Sequence, residues 1–333
     1  MKIVFYVLTL LLLSACGGGG GSTPAASTTS TSATATSFTT VAMAGELLTY
    51  TVDTTKLTYS YTITASQYGL TGKTGSGTLT LNSDGTYSPS GITNAKVVVL
   101  PNGLLLGAIR EIINGTLTTI PIYGVKSPVT TFAAAAGTYN YVERYCVAST
   151  CSSFFGTFKV TPDGLWNSCR SGNLTTGCTG TALSGTLNNL GGGQFQVFNG
   201  AIVIGTAITF TSGSQKVVVV DLNNATSGRG LLVGSQQESA TTAQTNGTWV
   251  GTSSNQGNFK FVVSGSGSTV TATQQTFNDV ANITARTATL NSPWAGMVSD
   301  GAGGIGILAG TGVYAAVVST LPNGYAEIGV KLP

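Results

Sequence analysis

Histidine is absent from this chain of 333 residues, and charged residues make up only 8% of it. The lack of histidine excludes Ser-His-Asp and Cys-His catalysis, histidine-ligated haem and most zinc sites. The formal net charge is +3, and the lysines and arginines are scattered rather than clustered. A basic surface that neutralises phosphates is therefore not expected. The sequence predicts no cofactor, no metal and no nucleic-acid partner.

Carboxylates are also scarce, with eleven in the whole chain. Asp84, Asp163 and Asp300 each precede a glycine, a pattern typical of turns. A pair of carboxylates suited to cleaving a glycosidic bond can nevertheless form in space from residues distant in sequence. The candidates for such a pair are Glu111, Glu143 and Glu327, and they keep a carbohydrate-active enzyme open as an alternative.

The first sixteen residues have the anatomy of a secretory signal. Lys2 precedes an apolar run over residues 3–13, and Leu13-Ser14-Ala15-Cys16 ends it. That ending resembles the lipobox of bacterial lipoproteins. The resemblance implies a signal peptide over 1–15, diacylglycerol on the Cys16 sulfur and an acylated N-terminus, and two or more acyl chains make a stable membrane anchor. Because Gly17 replaces the aspartate typical of inner-membrane retention, the resemblance also implies the outer membrane, on its periplasmic or surface side.

Residues 16–40 are expected to form a flexible tether. Five glycines follow Cys16, and Ser, Thr and Ala dominate the residues up to 40, so this stretch has little with which to form a core. The Cys-Gly-Gly-Gly-Gly-Gly start resembles that of surface lipoproteins which bind host iron proteins or complement regulators. Besides the membrane, the candidate partners are therefore a host protein, an envelope protein or a glycan.

The remainder of the chain is predicted to be all-β. Leu57, Tyr59, Tyr61 and Ile63 alternate with polar residues, which is the period of a strand with one buried face. Residues 217–220 are continuously apolar, which favours a strand covered on both faces. Such stretches recur about every 8–12 residues between turn residues, a spacing typical of antiparallel meanders in an up-and-down barrel or a sandwich.

Internal similarity suggests three tandem β domains, over 41–131, 132–239 and 240–333. Gly137-Thr138-Tyr139 and Gly247-Thr248-Trp249 each precede a second Gly-x-Phe segment, and residues 57–61 begin a comparable series. One large β domain with similar hairpins remains the alternative. Gly247-Thr248-Trp249 also resembles the G-x-W that opens the first strand of lipocalins, in which the tryptophan closes the barrel floor. Tyr139 takes that position in the middle domain.

Four cysteines fall in the middle domain: Cys146, Cys151, Cys169 and Cys178. After export they meet an oxidising compartment, so two disulfides are expected, with three possible connectivities. The local pairing, Cys146 with Cys151 and Cys169 with Cys178, would hold two loops at one end of the sheet. A site of four thiolates is the alternative, although the spacing of the second pair is too wide for the usual zinc motif.

The loops at the cysteine-rich end are the expected contact surface, because aromatic residues and arginine dominate binding hot spots. The leading hypothesis is a non-catalytic outer-membrane lipoprotein that displays β domains for ligand binding or adhesion. The alternatives are a carbohydrate-active envelope enzyme and a structural or assembly component of the outer membrane. The ligand-contact candidates are Arg144, Tyr145, Phe154, Phe155 and Trp166. In the alternative interpretation, Phe155 and Trp166 belong to the hydrophobic core and Arg144 is solvated.

Overall fold

The computed structural model describes residues 35–147, 150–224, 228–254, 257–282, 285–309, 312–318 and 324–333. The predicted signal peptide, Cys16 and the tether up to residue 34 lie outside this part of the chain. The prediction of tandem antiparallel all-β domains is confirmed, with three barrel-like meanders in sequence. Among the described residues, no helix has the length and apolar character needed to cross a bilayer.

The first barrel consists of eight strands in meander order, in which β1 pairs with both β2 and β8. A bridge between Tyr87 and Val97 joins the two edges of the sheet. Its strands are β1 (Thr36–Ala42), β2 (Glu46–Asp53), β3 (Thr58–Ser66), β4 (Thr74–Leu81), β5 (Tyr87–Pro89), β6 (Val98–Val99), β7 (Leu104–Ile113) and β8 (Thr116–Val125).

The first strand begins inside the segment that was expected to be tether. The predicted tether ended at residue 40, yet β1 starts at Thr36, and both Phe38 and Thr40 are buried. The Ser/Thr-rich composition concealed this strand, because threonine suits a linker and a β-strand equally well. The ordered fold therefore starts at least five residues before the predicted domain boundary.

The second barrel is closed by pairing of its first and last strands. A one-turn helix, α1 (Phe132–Ala135), precedes it. Its strands are β9 (Gly137–Val147), β10 (Thr150–Val160), β11 (Leu165–Arg170), β12 (Thr181–Gly191), β13 (Gln194–Asn199), β14 (Ile202–Ser212), β15 (Gln215–Asn224) and β16 (Gly228–Gln236).

The third barrel repeats this plan after a second one-turn helix, α2 (Thr242–Thr245). Pairing of β18 with β19 closes the meander, and β20 is an additional strand on β19. Its strands are β17 (Gly247–Ser253), β18 (Gly257–Ser266), β19 (Thr269–Phe277), β20 (Val280–Asn282), β21 (Arg286–Leu290), β22 (Met297–Ser299), β23 (Gly304–Ala309), β24 (Val313–Val318) and β25 (Tyr325–Lys331).

The similar sequence segments do not occupy the same strand position in all three barrels. Gly137-Thr138-Tyr139 opens the first strand of the second barrel, and Gly247-Thr248-Trp249 opens the first strand of the third. The comparable residues 57–61 lie instead at the start of β3, the third strand of the first barrel. The similarity thus marks matching hairpins at different positions in the meander.

The three barrels share one apolar core, formed by outward-facing residues of all three, which we call the central core. It includes Met43 from the first barrel, Val217 and Val219 from the second, and Val330 from the third. On β15 the neighbouring residue Val218 points into its own barrel instead. The continuous apolar run over 217–220 is explained by this arrangement, because one face fills a barrel and the other fills the central core.

Hydrogen bonds of a buried asparagine join the second barrel to the third. Asn140 on β9 donates from Nδ2 to the Ala295 carbonyl at 2.7 Å, and its Oδ1 accepts from the Trp294 indole Nε1 at 2.7 Å. The Trp294 ring also lies 5.9 Å from the Phe155 ring, centre to centre. Asn140 is fully buried, so both of its hydrogen bonds replace water at the interface.

A buried carboxyl, Glu46, should make folding stability depend on pH. Burial raises its pKa from 4.5 to about 7, against the lowering effects of Ser66 and Arg229, while Glu111 raises it slightly further. Asp221 of the second barrel interacts electrostatically with Glu46, and burial raises its pKa as well. Because the folded state holds the Glu46 proton more tightly, this contribution to stability is present below the unfolded-state pKa and is lost as pH rises towards 7.

We expect Glu46→Gln to flatten this dependence. The wild-type chain should lose about 3 kcal/mol of unfolding free energy from this group between pH of about 4.5 and 7. Urea unfolding of both proteins across that range measures the difference, with the exposed Glu238→Gln as a charge-matched control. Equal slopes for wild type and Glu46→Gln would contradict the assignment.

Candidate functional site in the second barrel

The alternation of β9 decides which predicted contact residues reach the interior of the second barrel. Tyr141, Glu143 and Tyr145 point inward, where they contact the barrel core or line its cavity. Val142 points outward into the central core, and Arg144 points towards the third barrel. Adjacent residues of one strand therefore face two different environments.

Three of the five predicted contact residues belong to the barrel interior. Trp166 lines the cavity, and its indole Nε1 donates to the Phe198 carbonyl at 2.9 Å. Phe154 pairs directly with the inward-facing Glu143 across β9 and β10. Tyr145 packs against the same barrel core. Tyr145 and Phe154 thus lie near one another at the cysteine-rich end, on strands rather than on loops.

Arg144 and Phe155 are not part of that interior. Arg144 Nε donates to the Gly324 carbonyl of the third barrel at 2.7 Å, and Nη2 lies 3.1 Å from Cys151 Sγ. Phe155 packs on Trp294 and the central core. Both residues are on the outward face of their strands, which the third barrel covers. They hold two barrels together instead of offering a free contact surface.

A cavity of about 110 Å³ occupies the second barrel. Its walls are largely apolar, as is usual in small-molecule sites. Polar groups come mainly from Ser168, Thr209 and the charged pair of Glu143 and Arg170. The apolar and aromatic lining residues include Tyr141, Phe158, Trp166, Leu183, Leu187, Phe195, Val197, Ile204, Ala207, Val218, Val220, Leu222 and Leu232.

The charged pair lies towards the cysteine-rich end of the cavity. Arg170 Nη2 donates to Glu143 Oε1 at 2.8 Å, and the guanidinium carbon lies 4.1 Å from the centre of the Phe154 ring. Burial raises the pKa of the Glu143 carboxyl, and the charge of Arg170 opposes that rise. Arg170 Nε is buried and has no hydrogen-bond partner among the described residues. Arg170 lines the cavity, so the guanidinium N–H groups that face it can donate to a molecule there.

Arg170 is the functional candidate that the sequence analysis missed. Trp166, Ser168 and Arg170 alternate along β11, and all three line the cavity. Since Trp166 was already a candidate, a period of two from Trp166 was the signal that leads to Arg170.

Two disulfides are present, Cys146–Cys151 and Cys169–Cys178, which is the local pairing among the three considered. The first joins residues directly opposite one another on β9 and β10. The second ties the end of β11 to the loop before β12, immediately beside Arg170. The second bridge therefore holds the strand end that carries the guanidinium.

Short helices lie beneath the second and third barrels. The Tyr139 hydroxyl donates to the carbonyl of Ala135 in α1, and the Trp249 indole Nε1 donates to the carbonyl of Thr245 in α2 at 2.9 Å. Trp249 is completely buried. Tyr139 and Trp249 thus occupy matching places at one end of their barrels, as the G-x-W pattern led us to expect.

The three glutamates considered as catalytic candidates lie in three different barrels. The Glu111 carboxylate accepts from Tyr61 in the first barrel, Glu143 pairs with Arg170 in the second, and Glu327 accepts from Tyr325 in the third. Each is buried and has its own local partners. These three residues therefore do not come together as a carboxylate pair in one cleft.

Comparison with known proteins gives no family for this chain. It matches no protein-family model, and no curated protein is similar to it in sequence. The geometry of the second barrel is therefore the basis for a functional proposal.

Proposed function

We propose that this chain is a lipid-anchored protein of the outer membrane whose second barrel binds a small apolar molecule bearing a hydrogen-bond acceptor. The cavity of about 110 Å³ is the observation that carries the proposal. Apolar walls favour ligand burial through the hydrophobic effect, and a few placed polar groups orient the ligand.

The acceptor of the ligand would bind at Arg170. The guanidinium is held on one side by Glu143 and on another by the Phe154 ring, so its position is fixed before the ligand arrives. A guanidinium carries several N–H donors, so Arg170 can donate to a carbonyl or carboxylate oxygen in the cavity without breaking its bond to Glu143. A preordered donor loses less entropy on binding.

Binding without catalysis is part of the proposal. The sequence has no histidine, and Glu111, Glu143 and Glu327 are buried in separate barrels. The ion pair with Arg170 engages the Glu143 carboxylate, which is the acid closest to the proposed ligand. These features support a receptor for a small molecule over a carbohydrate-active enzyme.

Calorimetric titration with decanoate and decanol tests the proposal. The mature chain with Cys16→Ser should bind both, and decanoate more tightly. Glu143→Leu/Arg170→Met removes the donor without leaving a buried charge unpaired, and should weaken decanoate binding about tenfold while leaving decanol binding nearly unchanged.

Filling the cavity provides the matched control. Ala207 lines the cavity and Ala182 is exposed on β12, so Ala207→Phe should abolish binding and Ala182→Phe should not. Failure of the wild-type chain to bind either molecule, or equal binding by both phenylalanine variants, would overturn the proposal. Turnover of a glycan that requires Glu111, Glu143 or Glu327 would overturn the non-catalytic part.

Anchoring through Cys16 has its own test. Mass spectrometry of membrane-extracted protein should show an acylated N-terminal peptide that begins at Cys16. Cys16→Ser should abolish fractionation with the outer membrane, because the acyl chains supply roughly 0.8 kcal/mol for each buried methylene. A mature protein with an unmodified Cys16 thiol would exclude the anchor.

A further inference from the structure

Glu111, Glu143 and Glu327 are buried glutamates of the first, second and third barrels, and a cation neutralises each of the first two. In the first barrel, Glu111 forms an ion pair with Lys73 and accepts a hydrogen bond from the Tyr61 hydroxyl at 2.7 Å. In the second, Glu143 lies 2.8 Å from the guanidinium of Arg170. Pairing of this kind is the usual way in which a folded protein tolerates a buried charge.

The third barrel lacks this cation among the residues that the structure describes. Glu327 is only 5% exposed, and its two oxygens accept from the hydroxyls of Tyr314 and Tyr325, the latter at 2.6 Å. No described lysine or arginine nitrogen lies within 4.0 Å of Glu327. The tyrosines satisfy its hydrogen bonds but supply no positive charge.

The third barrel contains a cavity beside Glu327. It has a volume of about 120 Å³, and Glu327 forms part of its wall. The rings of Phe259 and Phe261 are stacked 5.2 Å apart, and Tyr314 meets Phe261 edge-on at 5.5 Å. Aromatic rings beside a carboxylate attract organic cations, because the negative faces of the rings add to the charge of the carboxylate.

The cavity extends to the protein surface. Its lining runs from buried Glu327 to the exposed residues Arg286 and Asp300. The strand pairing beside these residues is short, because two residue pairs join β21 and β22. Arg286 is a cation within the lining and interacts electrostatically with Tyr314 and Tyr325. Its guanidinium lies 5.8 Å from the centre of the Phe277 ring and makes no ion pair with Glu327.

We propose that the third barrel is a second binding site, specific for an organic ammonium ion attached to an apolar group. The ammonium would lie beside Glu327, in the role that Lys73 and Arg170 fill in the other barrels, and the apolar group would pack on Phe259 and Phe261. This site differs from that of the second barrel in the sign of the charge that it recognises, and it does not depend on ligand binding there.

Calorimetric titration of the mature Cys16→Ser chain with benzyltrimethylammonium tests the site, with its neutral isostere neopentylbenzene as the comparison. The wild-type chain should bind the ammonium ion more tightly than the isostere. Glu327→Gln keeps the size and the acceptor oxygen but removes the charge, and should weaken ammonium binding about tenfold with little change for the isostere. Glu111→Gln is the control, because it removes a buried charge from the first barrel.

A second variant keeps the proposal testable if Glu327→Gln does not fold. Phe261→Leu removes one aromatic face from the cavity and should weaken ammonium binding several-fold while the isostere loses less. Thermal unfolding of each variant checks that it is folded. Equal affinity of the wild-type chain for the ion and the isostere, no detectable binding of the ion, or unchanged ion binding in Phe261→Leu would overturn the proposal.

Discussion

Trp249→Ala is expected to destabilise the protein by about 3–5 kcal/mol, because it removes a large, fully buried side chain from the floor of the third barrel. The substitution also removes the donor to the Thr245 carbonyl, which fixes α2 beneath the barrel. Urea unfolding followed by circular dichroism measures the loss. Trp249→Phe is the matched variant, and it should lose much less because most of the ring volume remains.

The central core determines how the loss of stability in Trp249→Ala is distributed over the three barrels. Since outward-facing residues of all three barrels pack together, unfolding of the third barrel exposes apolar surface of the other two. The Trp249→Ala transition should therefore shift as a whole. A loss below about 1 kcal/mol would contradict the structural role of Trp249. An early transition confined to one third of the signal would contradict the shared core.

Removal of the Cys169–Cys178 disulfide is expected to have the second large effect. Cys169→Ala/Cys178→Ala should lower the unfolding free energy by about 2–5 kcal/mol. It should also weaken decanoate binding, because Arg170 follows Cys169 directly and the bridge holds that strand end. Decanol binding should fall less, since decanol depends mainly on the apolar walls.

The other disulfide provides the internal comparison. Cys146 and Cys151 are opposite one another in a hairpin whose eleven residue pairs already hold the two strands. Cys146→Ala/Cys151→Ala should therefore be milder in its effect on both stability and decanoate binding. The interpretation fails if this variant weakens decanoate binding more than Cys169→Ala/Cys178→Ala does.

The strands could be predicted from the sequence, because the alternation of apolar and polar residues is a property of residues close together in the chain. Tyr59 and Tyr61 alternate with polar residues on β3, and both are buried in the first barrel. The pairing of the cysteines was also partly accessible, because both disulfides close short loops. These features depend on residues close together in the chain.

The arrangement of the barrels depends on contacts between residues far apart in the chain, and it could not be predicted from the sequence. Arg144 and Phe155 were expected at a free end of the middle domain, yet the Gly324 carbonyl and Trp294 of the third barrel cover them. Strand alternation shows that two faces exist, but it does not show which face lies inside a barrel. The same ambiguity hid Arg170, which faces the cavity.

Methyl NMR of the mature Cys16→Ser chain with decanoate tests the central claim most directly, because it locates the ligand as well as detecting it. Binding inside the second barrel predicts intermolecular contacts from decanoate to Leu183, Val220 and Leu232, which line the cavity. Contacts confined to the exposed residues Leu165, Leu190 and Ile202, or no contacts at all, would contradict the claim that this barrel is a binding site.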